Sequence, residues 1–212
     1  MVKVKICGMT NLEDANLACE LGADAVGFIF YERSPRFIQP EKAYPIMCSM
    51  PPFVAKVGVF VNMPFTDLIR TLDALHIDVV QLHGEESPEY CSRLKRPCLK
   101  VFRVGQNFNV EILQKYRVAG FLLDTFEPAR YGGTGKSFDW LIAKQAKKYG
   151  RIVLSGGLKP ENILEAIQAS QPYAVDTCSG VEASPGKKDP EKMEAFLTRV
   201  HLGEVKEKSS FT

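Results

Sequence analysis

Ala25-Val26-Gly27-Phe28-Ile29-Phe30 decides the fold, and Val57-Gly58-Val59-Phe60-Val61 repeats its message. Neither stretch alternates apolar with polar residues. An unbroken apolar run of strand length describes a strand buried on both faces, which is the habit of parallel sheets. Working outward from these two, strand-like runs recur at 2–7, 25–30, 54–61, 79–83, 98–104, 120–124, 151–155 and 174–178.

Helical signals fill the gaps. Thr10-Asn11-Leu12-Glu13 has the form of a capping box, with Gly22 as the stop. Leu12, Ala15 and Cys19 fall on one face of the intervening helix. Pro64, Pro88, Pro160 and Pro190 each suit a first helical turn. The expected helices run near 64–74, 87–95, 109–116, 138–148, 160–169 and 190–201, with a short or irregular one at 40–50 around Pro45. Eight strand–helix units in one chain predict an α/β fold, a single (β/α)8 TIM barrel. An open doubly wound sheet is the alternative, but no Gly-x-Gly-x-x-Gly follows the first strand. The barrel is expected to occupy residues 1–202, and the polar, charged stretch 203–212 is expected to fray.

The 212 residues are 45% hydrophobic and 25% charged, which suits a globular domain with a sizeable core. A net charge of +2 gives no electrostatic case for nucleic acid. No run approaches the roughly 20 apolar residues of a membrane helix. The opening Val2-Lys3-Val4-Lys5-Ile6 reads as a strand rather than a signal peptide, so a cytoplasmic protein is expected. The six cysteines form no Cys-x-x-Cys pair, and His76, His83 and His201 offer no metal spacing. Free thiols and no metal are expected, and every cysteine but Cys7 reads as a small buried hydrophobe.

Chemistry in a barrel gathers at the carboxyl ends of the strands. Cys7 ends the first strand and Asp124 the sixth, so a thiol and a carboxyl share one mouth. A nearby helix N-terminus, or a cation such as Lys5, would favour the thiolate. Asp124 suits a general acid if burial helps it keep its proton; loop capping is the plainer use of an aspartate there. The loop that follows carries Arg130 and Gly132-Gly133-Thr134-Gly135, which suggests a lid. Ser155-Gly156-Gly157-Leu158 follows the seventh strand, and Cys178-Ser179-Gly180-Val181 follows the eighth. Barrels bind phosphate with these two loops, where glycines let backbone N–H groups approach oxygen. Arg36, between Pro35 and Pro40, reads alone as a surface arginine, although a guanidinium there also suits a planar carboxylate. His83 ends the fourth strand, where it either touches substrate or orients a loop.

Taken in order, these segments resemble the phosphoribosylanthranilate isomerase family of tryptophan biosynthesis. The resemblance rests on Lys5-Ile6-Cys7-Gly8-Met9-Thr10, Gly27-Phe28-Ile29-Phe30 with Ser34-Pro35-Arg36, Val57-Gly58-Val59-Phe60-Val61-Asn62 and Val80-Gln81-Leu82-His83-Gly84. It continues through Asp124, Gly132-Gly133-Thr134-Gly135 and Phe138-Asp139-Trp140. It ends with Leu154-Ser155-Gly156-Gly157-Leu158-Lys159-Pro160, Asp176, Ser179-Gly180-Val181-Glu182 and Pro185-Gly186-Lys187-Lys188-Asp189. It implies a cofactor-free Amadori rearrangement of N-(5-phosphoribosyl)anthranilate to 1-(2-carboxyphenylamino)-1-deoxyribulose 5-phosphate. It implies Cys7 as general base, Asp124 as general acid and Arg36 as the partner of the anthranilate carboxylate. Gly156, Gly157, Ser179 and Gly180 would hold the phosphate, with His83 beside the substrate. The partner is then a small phosphosugar, with no nucleic acid and no membrane, and the chain a monomer or homodimer. Thr177-Cys178 departs from the family pattern, which has an aliphatic residue followed by Ser or Asn; because backbone holds the phosphate, little effect is expected. The histidine-pathway isomerase is a rival reading, but it uses an aspartate pair where this chain has Cys7. The other rival is a phosphate-binding barrel without catalysis.

Overall fold

The computed structural model describes residues 1–105, 107–125 and 140–209. Eight parallel strands close into a barrel in sequence order: β1 Lys3–Cys7, β2 Ala25–Ile29, β3 Ala55–Phe60, β4 Val79–Leu82, β5 Cys98–Val104, β6 Gly120–Thr125, β7 Ile152–Leu154 and β8 Ala174–Thr177. Closure is between β1 and β8, with Lys5 opposite Asp176 and Ile6 opposite Thr177. The helices are α1 Leu12–Glu20, α2 Pro40–Ser49, α3 Phe65–Ala74, α4 Pro88–Ser92, α5 Leu141–Ala146, α6 Ile163–Ser170 and α7 Pro190–Ser209. A 3-10 segment, Val110–Lys115, connects β5 to β6 in place of the expected helix. A small antiparallel hairpin, β9 Glu182–Ser184 and β10 Lys187–Lys188, follows β8. With only two paired positions and a register shift, it leaves no periodic trace in the sequence.

Details of the helices differ from expectation for local reasons. The cap of α1 is Asn11, whose side chain accepts from Asp14 N at 2.8 Å. Thr10 instead donates its hydroxyl to Gly186 O, tying the first loop to the hairpin. The inward face of α1 is Asp14, Ala15 and Ala18, while Leu12 is exposed and Cys19 only half-buried. Gly22 does follow the helix with φ +89, a left-handed conformation that glycine adopts without steric cost. Pro160 precedes α6 without joining it: Asn162 holds the N-cap position, and its side chain bonds back to the loop at Lys159 N and Gly157 O. Helix α7 runs through to Ser209, past the expected end at 201. Met47 in α2 and Met50 just after it are buried, whereas Phe53 is 97% exposed.

The barrel interior explains where the site falls. Val101, Leu122, Val153 and Ala174 form a separate apolar cluster across β5 to β8, each opposite the next in register. Side chains two residues further along a strand point the same way. The layer above Leu122, Val153 and Ala174 is therefore Asp124, Ser155 and Asp176, all buried. An apolar floor thus carries a polar storey at the carboxyl ends of the strands. Among the described residues, no helix is long and apolar enough to cross a membrane.

Candidate active site

The polar storey opens into a cavity lined by Cys7, Arg36, His83, Asp124, Ser155 and Cys178, among others. A second recess continues from it and is lined by Gly156, Gly157, Ser179 and Gly180. Asp124, Ser155, Asp176 and Cys178 border both. The eight residues singled out from the sequence thus converge on one end of the barrel. Arg130 and Gly132 to Gly135, read as a lid, lie outside the described residues, as do Phe138 and Asp139.

Cys7 is buried at the end of β1. Its thiol titrates well below the ordinary cysteine range. The main cause is a hydrogen bond from the Cys178 thiol, and Lys5 and Lys188 add positive charge against the opposing effect of burial. Cys178 shifts the other way, because its proton is held by that same bond. Its neighbours fit this sharing. Cys178 Sγ donates to Glu182 Oε1 at 3.7 Å, a carboxylate that holds the proton on that sulfur and discourages a second negative charge there. Cys178, expected as an inert thiol near the mouth, is half-buried and lines the cavity itself. Cys48 departs from the expected burial, since it is exposed.

Lys5 is held by Asp176 at 2.7 Å, both side chains buried. Burial opposes the charge on the ammonium, but the carboxylate and the Cys7 sulfur outweigh it and hold the Lys5 pKa above the ordinary lysine value. Burial pushes Asp176 up to about 6 against the pull of Lys5, and Ser155 donates to its other oxygen at 3.1 Å. A buried ion pair is a weak source of stability. Its evident use here is a fixed positive charge beside Cys7.

Two glycines make room for the thiols. A Cβ on Gly27 would stand 2.6 Å from Cys7 Sγ, and one on Gly8 would stand 2.8 Å from Cys178 Sγ. Gly8 also has φ +80.

Arg36 is buried rather than on the surface. It forms a two-pronged pair with Glu182, Nε to Oε1 at 2.8 Å and Nη2 to Oε2 at 2.6 Å. That fork orients the guanidinium toward the cavity it lines. Glu182 is fixed in turn by Lys188 Nζ at 3.1 Å and Gly186 N at 3.3 Å. Lys188 also donates to the carbonyls of Cys7 at 2.6 Å and Cys178 at 3.2 Å. The hairpin therefore locks Arg36, Cys7 and Cys178 into one frame. The sequence reading had no role for Glu182 or Lys188, since pairs so distant along the chain leave no periodic trace.

His83 Nε2 lies 3.4 Å from Asp124 Oδ2, without hydrogen-bond alignment. Its loop is braced from below by Glu86, which accepts from Gly84 N and from the buried Lys100 ammonium at 2.9 Å.

In the second recess Gly156 and Gly157 have φ +85 and +66, so consecutive left-handed residues shape the turn. A short 3-10 turn, Ser179–Val181, faces it from the end of β8. Leu158 O would lie 1.9 Å from a Cβ on Gly180, so the two loops touch backbone to backbone. Asn162 secures the first loop by donating to Gly157 O at 3.0 Å and accepting from Lys159 N at 2.9 Å. A recess of backbone between two strand ends is an anion cradle in form.

Comparisons with known proteins agree with this geometry. The family model of N-(5'-phosphoribosyl)anthranilate (PRA) isomerase matches residues 4–199. The N-(5'-phosphoribosyl)anthranilate isomerase of Geobacter metallireducens is 51% identical over 199 residues, 94% of this chain and 98% of that one. That of Citrifermentans bemidjiense is 53% identical over 197 residues, 93% of this chain and 96% of the other. Among solved structures, the phosphoribosyl anthranilate isomerase of Thermotoga maritima superposes with a TM-score of 0.90 at 46% identity, covering 95% of this chain and 100% of that one. A phosphoribosyl anthranilate isomerase in complex with reduced 1-(o-carboxyphenylamino)-1-deoxyribulose 5-phosphate superposes with a TM-score of 0.86 at 42% identity, covering 95% and 100%. The chain belongs to the N-(5'-phosphoribosyl)anthranilate isomerase family.

Proposed function

We propose that the chain isomerises N-(5-phosphoribosyl)anthranilate to 1-(2-carboxyphenylamino)-1-deoxyribulose 5-phosphate, with Cys7 as base and Asp124 as acid. The observation that carries this is the single cavity that holds Cys7 and Asp124 and runs on into the glycine recess. The substrate has two anionic ends and a reactive sugar between them, and the site has the same order. The recess of Gly156, Gly157, Ser179 and Gly180 takes the phosphate. Arg36, oriented by Glu182, takes the anthranilate carboxylate with the N–H groups that Glu182 leaves over. Held at both ends, the ribose lies between the thiol and the carboxyl.

Asp124 protonates the ring oxygen, and the ring opens to an iminium. The positive nitrogen acidifies the adjacent carbon, and the Cys7 thiolate removes its proton. The enolamine then tautomerises to the ketone. Each well-placed acid or base contributes about 10²–10⁴-fold in rate. Cys178 and Lys5 keep the base ionised, and His83 borders the acid. The protein's own side chains supply every proton transfer in this scheme, so it requires no cofactor. A cytoplasmic monomer or homodimer is the assembly that fits this reading.

Steady-state kinetics of Asp124→Asn and Arg36→Ala test the roles. Asp124→Asn is expected to lower kcat about 10²-fold or more at little cost in KM. Arg36→Ala is expected to raise KM. Wild-type turnover in the first variant, or wild-type KM in the second, would remove that residue's assignment.

A further inference from the structure

Cys178 brings into the site a second sulfur that the isomerisation does not consume. Its position follows from the barrel's closure. Lys5 and Asp176 are opposite each other and bonded, and Ile6 and Thr177 are the next pair in register. One more residue along both strands sets Cys7 beside Cys178. Alternation then turns these two side chains toward the same face as Lys5 and Asp176. Both thiols do line one cavity.

Neighbouring strands lie about 4.8 Å apart. A disulfide spans Cα separations of roughly 4.4–6.8 Å. Cys178 also stands just past the end of β8, where ladder bonds no longer fix its backbone. Lys188 Nζ holds the carbonyls of both residues at 2.6 and 3.2 Å, so one ammonium clips the two backbones together at the level of the sulfurs. Lys5 and Lys188 favour the thiolate on Cys7, while Cys178, which donates to Glu182 Oε1 at 3.7 Å, keeps its proton. That is the attacking and resolving arrangement of a redox-active cysteine pair.

We propose that Cys7 and Cys178 form a redox-sensitive dithiol that a hydroperoxide closes to a disulfide, withdrawing the catalytic base until a dithiol reductant reopens it. The Cys7 thiolate attacks one peroxide oxygen and the O–O bond breaks. Hydroxide leaves and takes up a proton as water, and Cys7 becomes a sulfenic acid, oxidised by two electrons. The Cys178 thiol then attacks that sulfur. An S–S bond forms, the S–O bond breaks, and the second water carries away the Cys178 proton. Reduction by a dithiol runs through thiol–disulfide exchange and returns both thiols.

The test is treatment of the reductant-free protein with excess hydrogen peroxide. A non-reducing peptide map follows, with activity measured before and after dithiothreitol. The expected map shows a Cys7–Cys178 peptide lighter by two hydrogens, and lost activity that dithiothreitol restores. In Cys178→Ser, Cys7 has no resolving partner and proceeds to sulfinic acid, so dithiothreitol fails to restore what peroxide removed. The buried Cys91 and Cys98 also hydrogen-bond each other, and the map separates their link from this one. Absence of the Cys7–Cys178 peptide, or recovery in Cys178→Ser equal to wild type, would overturn the proposal. The map reads the link without turnover, so its outcome is independent of the isomerase assignment.

Discussion

Gly180→Ala is the sharpest perturbation of the phosphate recess, because the structure gives the clash directly. A Cβ at this position would lie 1.9 Å from Leu158 O and 2.9 Å from Leu158 C. Both atoms are backbone, so no rotamer change relieves the contact. Ordinary contact begins at 3.4 Å, and the two loops must therefore separate by 1.5 Å. A shift of that size breaks a hydrogen bond between loop and phosphate. A hydrogen bond to a charged group is worth about 1.5–3 kcal/mol. At about 1.4 kcal/mol per decade, loss of one such bond raises KM about 10- to 100-fold. The assay is steady-state isomerisation by substrate fluorescence, with a urea melt to show that the variant is folded. Inhibition by inorganic phosphate should weaken in parallel. A folded Gly180→Ala with KM within about twofold of wild type would refute the reasoning, since uniform binding lost at the phosphate must appear in KM.

Three further outcomes follow from other contacts. Gly27→Ala places a methyl 2.6 Å from Cys7 Sγ; kcat should fall about 10²-fold in a protein that still melts cooperatively, and an unchanged kcat would show that the sulfur's position is not critical. Cys178→Ala removes the main donor to the Cys7 thiolate, so the Cys7 pKa rises and the acid limb of the kcat profile moves to higher pH. Activity lost near neutrality is then regained at alkaline pH, and a limb that stays in place would contradict that donor role. Glu86→Ala removes the counter-charge of the buried Lys100 ammonium, whose side chain is 3% exposed and keeps only the carbonyls of Gly84 and Leu82, and should cost about 3–5 kcal/mol in urea unfolding; a loss below about 1 kcal/mol would show that those carbonyls and water suffice for the charge.

The barrel was legible because its evidence is local and repeated. Each of eight apolar runs carries its own signal, and the observed strands agree with the expected bounds to within a residue or so. Cys7, Asp124 and the two glycine loops were legible for a related reason, since strand ends mark the mouth. What stayed hidden depends on distance along the chain. Arg36 and Glu182 lie 146 residues apart, so a surface reading of Arg36 was reasonable until its partner was seen. The same holds for the 181-residue reach from Lys188 to the Cys7 carbonyl. The resemblance had pointed to Cys178 as a departure, but only the register between β1 and β8 shows that it stands beside Cys7. Thr10 looked like a cap because Glu13 stood at the right spacing; the competing acceptor Gly186 O drew its hydroxyl away, and Asn11 took the role.

The most direct test of the central claim is the fluorescence decay of freshly prepared phosphoribosylanthranilate with wild type and Cys7→Ala in parallel. Rapid loss is expected with wild type and loss near the uncatalysed background with the variant, at equal far-ultraviolet dichroism. Equal decay with both proteins would contradict Cys7 as the base. No decay with folded wild type would contradict the isomerase function itself.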